Sequence, residues 1–129
     1  MLPTLAIDHL VFRVRDIPAS KTFYRALFGE PVFENEDLFL YKIGTTARLF
    51  FTKATTPAST PYDKEHVGLN HLAFGVESLQ HLEQIHSHLQ SAGIPNSGIG
   101  IDPHGKQNYI WLNDPNGLRI EFYCTPASE

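Results

Sequence analysis

Apolar and polar positions alternate along Ile7-Asp-His-Leu-Val-Phe-Arg-Val-Arg-Asp16, the period of a β-strand with two different faces. Leu10, Phe12 and Val14 line one face, while Ile7, His9, Val11 and Arg13 line the other. The period then lengthens. Asp16 is an N-cap candidate with Pro18 in the first turn, and Phe23, Tyr24, Leu27 and Phe28 make a helical stripe. Gly29 ends that stripe, with Pro31 behind it. Three short strands are predicted over 32–36, 38–43 and 47–52. Residues 53–66 are polar, proline-broken and aperiodic, the composition of a linker.

After residue 66 the pattern begins again. Gly68-Leu-Asn-His-Leu-Ala-Phe-Gly-Val-Glu-Ser78 matches the first strand position for position, with His71 on His9, Leu72 on Leu10, Phe74 on Phe12 and Val76 on Val14. Ser78 is the second N-cap candidate, and Leu79, Leu82, Ile85 and Leu89 form the second stripe. Gly93-Ile-Pro95 repeats Gly29-Glu-Pro31, and strands are predicted again near 97–101, 107–113 and 118–123. Arg48-Leu-Phe-Phe aligns with Arg119-Ile-Glu-Phe. Each half therefore reads β-α-β-β-β, and the chain is a tandem duplication of α+β class. Its first module spans 5–52, its linker 53–66 and its second module 67–124, within one domain over 1–129. Neither half buries its sheet face alone. The expectation is a pair of modules forming one curved mixed β-sheet cup with helices outside, paired within the chain or between chains.

The last strand makes the sharpest chemical demand. Asp114-Pro-Asn-Gly117 is a turn signal, and the residues after it alternate: Leu118, Ile120 and Phe122 one way, Arg119, Glu121 and Tyr123 the other. Glu121 sits among β-branched and aromatic residues, where an isolated carboxylate costs several kcal/mol or is forced to protonate. It requires a cation, a polar network or a metal. His9 and His71 occupy matched positions on the strand faces opposite the helices, and alternation points Glu121 toward the same space. Two imidazoles and one carboxylate with open positions suit Fe(II), Mn(II), Zn(II) or Ni(II). Phe50 aligns with Glu121 across the repeat, so the first half adds no carboxylate and the set has three members.

Composition narrows the classes of function. A length of 129 residues fits one domain with a real core. The net charge of −4 without a basic run argues against a nucleic-acid partner. The single cysteine, Cys124, precludes an internal disulfide and fits a reducing compartment. Met1-Leu-Pro-Thr has no basic n-region, and no apolar run approaches the roughly 20 residues of a membrane span, so the expectation is a soluble cytoplasmic domain. Beside these candidate ligands stand further candidates. Arg48 and Arg119 are placed to hold a substrate carboxylate or to balance Glu121. Phe39, Tyr41, Phe50, Tyr109 and Trp111 line a pocket for a flat substrate or simply pack the core. His104, on the loop before the Tyr109 strand, is an acid/base candidate.

The stretches I-D-H-L-V-F-R-V-R-D, T-F-Y-R-A-L-F-G, G-L-N-H-L-A-F-G-V and D-P-N-G-L-R-I-E-F-Y resemble the vicinal oxygen chelate superfamily, the glyoxalase / bleomycin resistance protein / extradiol dioxygenase group. With the intervening helices the resemblance covers essentially the whole chain. It implies a divalent metal bound by His9, His71 and Glu121, a small-molecule substrate chelating it through adjacent oxygens, and a homodimer. Lactoylglutathione lyases of the group usually carry a fourth ligand, a glutamate, where this chain has Phe50. Fosfomycin-resistance thiol transferases typically place a threonine where Val11 stands and carry a serine-rich potassium loop that is not evident here. Extradiol dioxygenases share the three-ligand set but usually place a tyrosine at the position of Trp111. Tyr109, on the same face, substitutes from two residues away. Bleomycin-sequestering members usually lack the metal ligands. The resemblance thus implies a metal-dependent enzyme; with the residues read from their own positions, the catalytic candidates are His104 and Tyr109 and the substrate-contact candidates Arg48, Phe50, Trp111 and Arg119. Dioxygenase-like ring cleavage is preferred over a glyoxalase-like lyase or isomerase and over a non-catalytic binding protein.

Overall fold

A computed structural model describes residues 1–56 and 61–125. The chain divides into two compact units, Met1–Thr60 and Pro61–Glu129, which are treated in turn.

In the first unit, β1 (His9–Val14), α1 (Ile17–Phe28), β2 (Phe33–Glu34), β3 (Leu38–Ile43) and β4 (Ala47–Lys53) follow one another, giving a mixed sheet of order β1-β4-β3-β2. β1 and β4 are parallel and the other pairs antiparallel. The Asp16 carboxylate accepts from Ala19 N at 3.1 Å and starts the helix, and Gly29, at φ 85°, ends it. Tyr24 of α1 meets Phe51 with ring centroids 4.2 Å apart, and Phe51 stacks on Phe39 at 4.7 Å. The helix therefore covers the face carrying Val14, Phe39, Tyr41, Leu49 and Phe51, all buried. Tyr41 extends from that core to donate its hydroxyl to the Gly29 carbonyl at 2.7 Å.

The second unit repeats the plan with β5 (His71–Val76), α2 (Leu79–Ser91), β6 (Gly100–Ile101), β7 (Asn108–Asn113) and β8 (Arg119–Cys124), in the order β5-β8-β7-β6. Ser78 caps α2 by accepting from His81 N at 3.1 Å. Leu82 and Leu89 of α2 are buried, as are Ile110, Leu112, Ile120 and Phe122 on the sheet face beneath them. The strand registers make the duplication explicit: His9 pairs Arg48 and Val11 pairs Phe50 in one sheet, His71 pairs Arg119 and Ala73 pairs Glu121 in the other. Each module is the predicted β-α-β-β-β unit.

Several boundaries move inward from the alternation, each for a local reason. β2 ends at Glu34 because the Asn35 side chain accepts from Asp37 N and Leu38 N, at 2.8 and 3.0 Å, and turns the chain. β6 begins only at Gly100, since Gly98 is at φ 72° and its N–H is taken by the Asn96 side chain at 2.8 Å. Lys53, placed in the linker by composition, is the last residue of β4.

The linker's second half is folded. Tyr62 N donates to Asn116 O at 2.7 Å, the Tyr62 hydroxyl donates to the Leu69 carbonyl, and Asn70 Nδ2 donates to Lys64 O at 2.8 Å. The segment lies against the Asp114–Gly117 turn so closely that a Cβ on Gly117 would stand 2.9 Å from Tyr62 O. That turn is built by Asp114, buried, whose Oδ1 accepts from Asn116 N at 2.8 Å and Leu118 N at 2.9 Å. Residues 57–60, also assigned to the linker, lie outside the described residues. Among the described residues no helix is long and apolar enough to cross a membrane.

Candidate metal and substrate site

Alternation on β8 and its neighbours sets one cluster on the face of the second sheet turned away from α2. The register places Glu121 between Ala73 and Trp111, Arg119 between His71 and Asn113, and Tyr123 between Gly75 and Tyr109. Glu121 is 6% exposed. Its Oε2 accepts from Arg119 Nε at 3.0 Å, and its Oε1 stands 3.5 Å from His71 Nε2. The Arg119 guanidinium lies over the Trp111 ring, 4.4 Å from its centroid. The demand of the buried carboxylate is therefore met by an arginine on one oxygen and an imidazole on the other. No buried side-chain nitrogen or oxygen among the described residues lacks a partner.

The orientation of His71 sharpens the chemistry. Asn70 Nδ2 donates to Lys64 O, which turns Asn70 Oδ1 toward His71 Nδ1 at 2.8 Å. An amide oxygen only accepts, so Nδ1 carries the hydrogen and a neutral His71 presents its lone pair at Nε2. With His71 neutral, Nε2 and Glu121 Oε1 face each other as two donors of electron pairs, a pair of atoms that a cation could share, while Arg119 serves the other carboxylate oxygen. Two ligand atoms each about 2.1 Å from one ion stand roughly 3.0–3.4 Å apart at angles from right to tetrahedral. The observed 3.5 Å suits a shared divalent ion with small adjustment. The donor set, imidazole nitrogen plus carboxylate oxygen, fits Fe(II), Mn(II), Zn(II) or Ni(II). Among the described residues no group of three or more His, Cys, Asp or Glu side chains is placed so that it could hold a metal ion.

In the first module His9 holds the position equivalent to His71. Its Nδ1 is tied to Asp8 Oδ1 at 2.7 Å, again leaving Nε2 for a ligand, and the bond holds the Asp8 carboxyl below its ordinary range. Where His71 meets Glu121, His9 meets Phe50 edge-on with centroids 5.6 Å apart. Arg48, the partner of His9 in the ladder, is exposed. This module offers an imidazole and an apolar surface, with Val11 55% exposed beside them.

Of the other candidates, Tyr109 shares the Glu121 face and packs edge-on against Tyr123 at 6.3 Å. His104 is exposed in the turn after β6, where its backbone N–H donates to Asp102 Oδ1 at 3.2 Å. Sequence reasoning missed what that turn does. Asp102 Oδ2 accepts from Gly105 N at 3.0 Å and from the Tyr123 hydroxyl at 2.9 Å. The backbone bonds from Gly105 and His104 hold the Asp102 carboxyl below its ordinary range, and burial followed by the Asp102 contact pushes the Tyr123 phenol up. A Cβ on Gly105 would fall 1.8 Å from the Tyr123 oxygen, so the glycine makes the space that the phenol fills. The available signals were D-P-H-G, which starts like the Asp114 turn, and Tyr123 two residues beyond Glu121 on one face.

A model of the Glyoxalase/Bleomycin resistance protein/Dioxygenase superfamily matches residues 6–122, and the chain belongs to that superfamily. Among relatives, YaeR of Escherichia coli (strain K12) is 27% identical over 130 residues, covering 95% of this chain and 98% of its own. A glyoxalase family protein from Enterococcus faecalis superposes with a TM-score of 0.73 at 27% identity, covering 92% of this chain and 96% of that one. A lactoylglutathione lyase from Agrobacterium tumefaciens does so at 0.71 and 22%, covering 95% and 96%, a likeness of fold.

Proposed function

We propose that the chain is a divalent-metal-dependent enzyme that acts on a small oxygenated molecule through two adjacent substrate oxygens. His71 and Glu121 would hold the ion, with His9 of a first module as third ligand, from the same chain or a second copy in a homodimer. The observation that carries this is the approach of His71 Nε2 to Glu121 Oε1 at 3.5 Å, with the other ring nitrogen committed to Asn70. A dication bound there supplies Lewis acidity and, as iron, redox chemistry. The protein groups have separate tasks. Arg119 keeps Glu121 oriented through Nε, and the rest of its guanidinium, spread on Trp111, is the contact for an anionic or polar substrate end. Trp111 and Tyr109 offer flat surfaces for an unsaturated substrate; from a first module, Phe50 would add an apolar contact and Arg48 a cationic one. His104 and Tyr109 are the proton-handling candidates.

Within that class, dioxygenase-like ring cleavage is preferred over a lyase or isomerase, because Phe50 stands where a fourth carboxylate ligand would be needed. Oxygen uptake with a panel of catechols under Fe(II), set against conversion of a hemithioacetal under Ni(II) or Zn(II), separates the two. A second reading is a non-catalytic small-molecule binder, favoured by the Arg119–Glu121 pair, which already neutralises the carboxylate by protein groups alone. Silence in both assays together with tight ligand binding would select it.

A further inference from the structure

We infer that Asn70 is a positioning residue, held by the folded segment 61–70 so that its amide oxygen fixes His71 in the Nδ1–H form and keeps Nε2 bare toward Glu121. The functional consequence rests on His71 being a metal ligand, as proposed above; the fixed tautomer does not.

The chain of contacts is continuous. The backbone of Tyr62 is bonded to Asn116 in the Asp114–Gly117 turn, and its hydroxyl holds the Leu69 carbonyl. Between those anchors His66 N donates to Asp63 O at 3.1 Å, so the backbone turns and brings Lys64 O to Asn70 Nδ2 at 2.8 Å. That bond distinguishes the two ends of the amide and presents Oδ1 to the ring at 2.8 Å. The residue before His9 does the same work by different means, Asp8 Oδ1 lying 2.7 Å from His9 Nδ1. Two modules thus present an acceptor from the preceding residue to the same ring nitrogen at the same register position. In histidine metal sites the partner of the non-ligating nitrogen sets ring orientation and donor strength, and its loss costs roughly 10–100-fold in metal affinity. Residues 61–66, which have linker composition, accordingly support His71 through the Lys64 carbonyl that orients Asn70.

The test reads the tautomer directly, by ring-nitrogen NMR of the metal-free protein at alkaline pH where neutral imidazoles dominate, with His71 assigned from the spectrum of His71→Gln. Zinc affinity is measured on the same samples by chelator competition. Wild type is expected to show His71 protonated at Nδ1. Asn70→Ala is expected to lose that form and to bind zinc roughly 10–100-fold more weakly. Asn70→Asp, which restores an acceptor as Asp8 does, is expected to retain both. Protonation of His71 at Nε2 in wild type overturns the inference without any variant, and so does an unchanged tautomer in folded Asn70→Ala. Should Asn70→Ala fail to fold, Asn70→Asp decides: loss of the Nδ1–H form there is also contrary. Wild type that holds the expected tautomer but binds no zinc refutes the metal-enzyme proposal and leaves the tautomer assignment standing.

Discussion

Glu121→Gln separates a carboxylate kept for a metal from one kept for an arginine. The substitution preserves shape and a carbonyl oxygen for Arg119 Nε, and it removes the negative charge. Glu121 is 6% exposed, and the Arg119 guanidinium is covered by Trp111 at 4.4 Å. Breaking a fully buried pair costs roughly 3–5 kcal/mol. Here the amide keeps the contact to Nε, and the Arg119 side chain retains 19% exposure. The expected loss is therefore smaller, about 2 kcal/mol, in the range of one hydrogen bond to a charged group. At roughly 3–6 °C per kcal/mol for a domain of this size, that lowers Tm by about 6–12 °C. Mn(II) at about 100 times its dissociation constant adds roughly 2.7 kcal/mol to a protein that binds it only when folded. Wild type should then gain about 8–16 °C with Mn(II), and Glu121→Gln should gain almost nothing. Thermal melts of both proteins with and without the ion give all four values. No Mn(II) shift in wild type, together with a large loss in the variant, would refute the metal assignment and leave a metal-free network.

Three further outcomes test the surroundings. Gly105→Ala should destabilise the protein by driving its methyl into the Tyr123 hydroxyl, the atom 1.8 Å from the built Cβ; adding Tyr123→Phe should recover part of the lost Tm, and a double variant no better than the single would contradict the packing. Burial pushes Tyr41 up to about 12, so folding retains a proton that the unfolded chain releases near pH 10; the associated stability is intact below about pH 10, declines as pH rises through about 12, and should vanish as a pH-dependent term in Tyr41→Phe by denaturant titration. Asp114→Ala leaves the buried N–H of Leu118 and that of Asn116 without their carboxylate, and chemical denaturation should show a loss of about 1–3 kcal/mol.

Much of the module plan was visible in the chain because burial imposes a period. Phe12, Phe39 and Phe51 face α1 while His9, Arg48 and Phe50 face away, and the second half repeats the code closely enough to align His9 with His71 and Phe50 with Glu121. Side-chain bonds that carry no period were invisible. Alternation puts Arg119 and Glu121 on one face and so offered Arg119, like Arg48, as a partner for the carboxylate; only the side-chain geometry chooses Arg119, at 3.0 Å. The Tyr123–Asp102 bond joins residues from different strands through a turn whose glycine has no side chain to reveal its purpose. Residues 61–66 have linker composition because single contacts, from Tyr62 to Leu69 and from Asn70 to Lys64, hold them, where a packed face would have announced itself. Strand ends shifted for the same reason, with Asn35 and Asn96 terminating ladders that apolar alternation alone would extend.

The central claim is that His71 and Glu121 bind a divalent ion together with His9. Calorimetric titration of the metal-stripped protein with Zn(II), repeated on His9→Ala and His71→Ala, addresses it most directly. The account predicts saturable binding of one ion per chain in wild type and comparable losses of affinity in both variants, since the duplication places the two imidazoles equivalently. Absence of saturable binding in wild type, or affinity unchanged in His71→Ala, would contradict it.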